Sequence, residues 1–85
     1  MRIDPTSLGT LELGGMWVPY VDLYDVDFLP TRVEIGPDEY AFTSSIIRSG
    51  HGAVLPQQIR QLRDAGKKSV VVERSDRYYL FVSPP

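Results

Sequence analysis

The sequence contains no cysteine and a single histidine, His51. The first absence excludes disulfide scaffolds, thiolate zinc sites and thiol nucleophiles together. The second leaves too few imidazoles for the usual multi-histidine metal site. Long apolar runs are also missing. The longest is Tyr78-Tyr79-Leu80-Phe81-Val82, against the ~20 residues that a membrane-spanning helix needs. The opening residues, Met1-Arg2-Ile3-Asp4-Pro5-Thr6, lack the apolar stretch of a secretory signal. A cytoplasmic setting without a membrane partner is the expectation.

Catalytic and ligand motifs are scarce as well. No Gly-x-Ser-x-Gly elbow occurs, and Ser49-Gly50-His51-Gly52 lacks the Gly-Lys-Ser/Thr ending of a phosphate-binding loop. Asp22, Asp25 and Asp27 form the densest acidic cluster, but without the spacing, central glycine and distal glutamate of a calcium loop. They read as a solvated strand end whose charges protect an edge. No metal and no cofactor are expected.

What remains is a chain of 85 residues and 9.6 kDa, one domain spanning residues 1–85. Its 42 % hydrophobic and 24 % charged residues sit near globular averages, which argues against wholesale disorder. Area scaling gives a folded surface of about 5,000 Å² and burial of roughly 63 % of the unfolded chain. That supports one modest core, not a core plus a deep cleft.

The net charge of −2 conceals an asymmetry. Residues 1–43 hold eight acids against Arg2 and Arg32, a balance of −6. Residues 44–85 hold seven bases against Asp64, Glu73 and Asp76, a balance of +4. Either the halves neutralise one another on folding, or the surface is dipolar, with one face for a basic partner and another for an acidic one.

Periodicity predicts an α+β fold: a twisted antiparallel sheet of five or six strands packed on one helix at about residues 56–65. A weak edge strand falls between Leu8 and Leu13. Met16 to Tyr24 alternates with period 2, and Pro19 there requires an edge or a bulge, because it cannot donate to a ladder. Thr31–Ile35 and Tyr40–Arg48 read as a hairpin around Gly36-Pro37-Asp38-Glu39. In the second of these strands Tyr40, Phe42 and Ile46 share one face.

The helix carries Leu55, Ile59 and Leu62 on one stripe, with Pro56 in its first turn and Gly66 closing it. No capping side chain stands directly before Pro56. The tail is a second hairpin, Ser69–Arg74 and Arg77–Ser83, with its tip at Ser75-Asp76. Both faces of its last strand are apolar, as in a central or doubly covered strand.

Three functional readings follow. The leading one is a small non-enzymatic accessory or regulatory protein that binds another protein, itself included. Trp17, Tyr20, Tyr24, Tyr79 and Phe81 are its interface candidates, since Trp and Tyr dominate binding hot spots. A homodimer through the Tyr78–Val82 strand is the natural case. The alternative is nucleic-acid binding through Arg60, Arg63, Lys67 and Lys68, with Arg and Gln on the helix suited to base edges. The third is a small enzyme using His51, whose flanking glycines would admit a substrate.

Overall fold

The computed structural model describes residues 1–50, 52 and 54–84. Its seven strands are β1 (Arg2–Ile3), β2 (Gly9–Leu13), β3 (Met16–Asp22), β4 (Arg32–Ile35), β5 (Asp38–Ile47), β6 (Ser69–Arg74) and β7 (Arg77–Val82). The helix α1 (Val54–Asp64) enters between β5 and β6. The strands form one sheet in the order β1-β4-β5-β7-β6-β3-β2. Neighbours are antiparallel except β1 on β4 and β3 on β6, which run parallel. The sheet is therefore mixed and has seven strands, not five or six antiparallel ones.

The two edge strands are consecutive in sequence, which forces the sheet to curl. Six residue steps separate Ile3 from Gly9, a reach of at most about 21 Å. A flat sheet of this many strands would be about 29 Å wide. The link is shortened further by a 3-10 turn at Pro5–Ser7, held where the Thr6 N–H donates to the Asp4 carboxylate at 3.0 Å. Only a curled sheet brings its edges within that reach.

The curl explains why strands β6 and β7 are apolar on both sides. Val70, Val72 and Phe81 face a cluster with Ile3, Val21, Val33, Ile35 and Tyr40, which the curling sheet closes over. Val71, Tyr78 and Leu80 face the other way, against Leu55 and Ile59 of the helix and Leu13 and Val18 of the first hairpin. The folded surface is 5194 Å², in line with area scaling, so two thin layers bury what one thick core would.

Local chemistry fixes the element ends. At the helix exit Lys67 N–H donates to Leu62 O at 2.9 Å and Gly66 N–H to Arg63 O at 3.0 Å. With Gly66 at φ +76° this is a Schellman cap, which takes a glycine because other side chains strain there. The helix begins two residues before Pro56 and ends at Asp64, a shift allowed because proline is harmless anywhere in the first turn. The residue that would cap it lies outside the described residues.

Two strand expectations need correcting. Strand β3 is not an edge: β2 flanks it on one side and β6 on the other. Proline is tolerated because pairing with β6 begins at Tyr20↔Val71, one residue beyond Pro19. Strand β5 carries a bulge between Phe42 and Ser44, where the register to β7 slips. Ile46 is thereby turned to the helix side, opposite Tyr78, while Tyr40 stays with the other cluster and the exposed Phe42 lies edge-on to the Phe81 ring on that same side.

Candidate binding surface

Arg60 and Arg63 lie one helical turn apart and reach the same hairpin. The Arg60 guanidinium donates to Gly14 O at 2.6 Å and that of Arg63 to Trp17 O at 2.7 Å. Pro56 meanwhile packs close to Gly14. These contacts pin the start of β3 against the helix. Trp17 is nonetheless 66 % exposed, so a large aromatic ring stands in solvent on a fixed backbone.

Arg63 also lines an open cavity of about 260 Å³ between the helix exit, the start of β6, the start of β5 and the middle of β3. Its lining is Pro19, Tyr40, Arg63, Lys67, Lys68 and Ser69. Lys68 pairs with Asp38 at 3.2 Å, and this pair also links the two halves of opposite charge. Arg63 and Lys67 make no ion pair among the described residues. The cavity wall is therefore cationic. Burial raises the Tyr40 hydroxyl above its ordinary pKa; the Asp38 charge adds to this and Lys68 opposes it. The phenol stays protonated and able to donate.

The remaining ion pairs, Arg2–Glu34, Arg32–Glu39, Arg48–Glu73 and Arg48–Asp76, each stay within one half. Asp22, Asp25 and Asp27 remain exposed at and beyond the far end of β3. Mutual neutralisation of the halves is thus slight, and β3 runs from a basic neighbourhood to an acidic one. Among the described residues no group of three or more His, Asp or Glu side chains converges as a metal site.

A second polar cluster, not anticipated in the sequence, gathers on Glu73. This carboxylate is 8 % exposed near the end of β6. It accepts from the hydroxyls of Tyr20 at 2.6 Å and Tyr24 at 2.5 Å, and from the guanidinium of Arg48. Burial works against its charge, but the bonds from Tyr20, Tyr24 and Arg48 outweigh burial and hold the carboxyl below its ordinary value. Burial and the bond to Glu73 in turn raise the Tyr20 hydroxyl well above the usual phenol range. The bond to Glu73 is the leading cause of the rise at Tyr24. A carboxylate saturated by three donors is a poor proton acceptor, and phenols held this way are poor acids. The cluster joins β3, the following loop, the turn just after β5, and β6; its chemistry is that of a clamp.

The interface candidates therefore part company. Trp17 is exposed; Tyr20 and Tyr24 serve the Glu73 clamp; Tyr79 is half-buried against the core; Phe81 is fully buried. Strand β7 lies between β5 and β6, so both its edges are occupied and it offers no pairing surface for a dimer. Of the basic candidates, Arg63, Lys67 and Lys68 meet at the cavity, while Arg60 is turned to Gly14. His51 lies outside the described residues. Comparison with known proteins returned no matching family model, no matching curated protein and no matching solved structure. Among the described residues no helix is long and apolar enough to cross a membrane.

Proposed function

We propose that the protein is a non-enzymatic accessory module that binds an acidic segment of another protein across Trp17 and the adjoining cationic cavity. The observation that carries this reading is the exposed Trp17 ring on a backbone anchored by Arg63. An aromatic carried on an already anchored backbone has less backbone entropy to lose on binding, and Trp and Arg are the side chains that most often dominate interfaces. Arg63, Lys67 and Lys68 supply the charge that selects an acidic partner.

Trp17 is the sole tryptophan, so its emission reports this site alone. Titration with an oligo-glutamate peptide should change that emission. Lys67→Glu should weaken binding about tenfold or more, the equivalent of ~1.4 kcal/mol. A single-stranded oligonucleotide of matched charge is the control. Binding of the oligonucleotide with no response to the peptide favours the nucleic-acid reading, and silence toward both removes the site altogether.

A further inference from the structure

The edges of the sheet are unequal. Strand β1 has two residues, and Arg2 on it pairs with Glu34, so that edge is blunted. Strand β2 has five residues, Gly9-Thr10-Leu11-Glu12-Leu13, with no proline and no lysine. Its one charge, Glu12, is folded back to accept from the Gly15 N–H at 2.7 Å. Among the described residues no strand pairs with its outer side.

The direction of its backbone groups follows from the turn. Leu13 faces Met16 across Gly14 and Gly15, at φ +57° and +85°. Two positive φ values in a two-residue loop mark the hairpin turn whose flanking residues exchange both hydrogen bonds. Alternation then makes Leu11↔Val18 and Gly9↔Tyr20 bonded pairs, and Glu12↔Trp17 and Thr10↔Pro19 non-bonded ones. The N–H and C=O groups of Thr10 and Glu12 therefore point outward.

We propose that this edge pairs with the same edge of a second copy, antiparallel about a two-fold axis at Leu11. Thr10 then exchanges both bonds with Glu12 of the other copy, and Glu12 with its Thr10. Leu11 meets Leu11 as the close, non-bonded pair, on the face that also carries Val18. Gly9 comes opposite Leu13 and leaves room for it. Neighbouring registers are worse. An axis at Glu12 sets like charges face to face. An axis at Thr10 brings Glu12 against Leu8, whose N–H already donates to Pro5 O. The edge is thus self-complementary in one register, which selects a second copy over an unrelated strand. The two Trp17 positions would share one face, about 16 Å apart, three strand spacings across and two residues along.

This pairing stands independently of the acidic-partner reading, because neither Thr10 nor Leu11 lines the cationic cavity. Light scattering should give about twice the 9.6 kDa chain mass for the wild type. Thr10→Pro removes an outward N–H and no bond to β3, so it should return the mass to that of one chain with an unchanged circular dichroism spectrum. Thr10→Lys sets a lysine against Glu12 of the other copy and should shift the monomer–dimer midpoint to lower concentration. A wild type at the single-chain mass up to millimolar concentration overturns the proposal. So does a folded Thr10→Pro variant that stays dimeric, or a Thr10→Lys variant that fails to tighten.

Discussion

Replacing Glu73 by glutamine keeps the size of the side chain and removes its charge. Three donors converge on this carboxylate, from Tyr20, Tyr24 and Arg48. An amide offers one acceptor oxygen and turns an NH₂ group toward the remaining donors. Arg48 is half exposed and keeps Asp76 nearby, so no charge is left buried, and the loss is that of hydrogen bonding to a charged group, about 1.5–3 kcal/mol. In a domain of this length each kcal/mol moves the thermal midpoint by about 4–8 °C, which predicts a fall of about 6–24 °C at neutral pH. Far-UV circular dichroism is the suitable probe, since Trp17 is already solvated in the folded state and its emission would change little.

The same substitution carries a pH signature. Folding holds the Glu73 carboxyl below its ordinary value of 4.5, so it favours the ionised form. The stability this supplies is complete above that value and is lost as pH falls through the lower, folded-state value. Glutamine does not titrate, so the gap between wild type and Glu73→Gln should narrow in acid below about pH 4.5. A gap under about 0.5 kcal/mol at neutral pH would refute the clamp. So would a gap that stays constant into acid unfolding.

Three further outcomes are expected. Ser75 sits at φ 56° at the tip between β6 and β7. The left-handed region costs a residue other than glycine about 1–2 kcal/mol, and glycine loses about 0.5–1 kcal/mol more backbone entropy. Ser75→Gly should therefore gain about 0.5 kcal/mol, read as a higher urea midpoint at unchanged slope. Gly14→Ala should destabilise more than Gly15→Ala, because a Cβ at Gly14 would stand 3.1 Å from Pro56 Cβ whereas one at Gly15 meets nothing within 4 Å. Equal losses in denaturant titrations would deny the contact between hairpin and helix. Phe81→Glu should yield no folded protein by circular dichroism, since Phe81 is wholly buried.

Local patterns carried much of this architecture. The stripe Leu55, Ile59, Leu62 and the closing Gly66 marked the helix, and the alternation in Met16–Tyr24 marked β3, because these signals arise from residues close in sequence. The doubly apolar run at Tyr78–Val82 correctly implied a covered, central strand. The pairing of distant strands was not legible. Periodicity reveals that a segment is extended but not which neighbour it takes, so it carries no trace of the parallel pairs β1–β4 and β3–β6. Strand β1 has only two residues, too few to show a period. The bulge in β5 reversed the facing of Ile46 because the slip depends on the partner strand. Glu73 carries no local signal for a related reason: Tyr20 and Arg48 are respectively 53 and 25 residues away from it in sequence. Trp17 and the pair Arg63 and Lys67 were visible as residue types; their convergence was not.

The position of β6 and β7 at the centre of the sheet has a consequence for synthesis. Before residues 69–82 emerge, the earlier strands exist as two unconnected pieces: the β2–β3 hairpin, and β1 paired with the β4–β5 hairpin. The helix, which precedes residue 69, can cover Leu13 and Val18 of the first piece, but Val33, Ile35 and Tyr40 of the second stay unsheltered, and each piece offers an open edge where the central pair will later insert. Vectorial folding can therefore go no further than a helix-covered hairpin. The ribosome must deliver nearly the whole sheet before any of it becomes stable, and a nascent chain stalled short of β6 would be a natural client for chaperones or proteases.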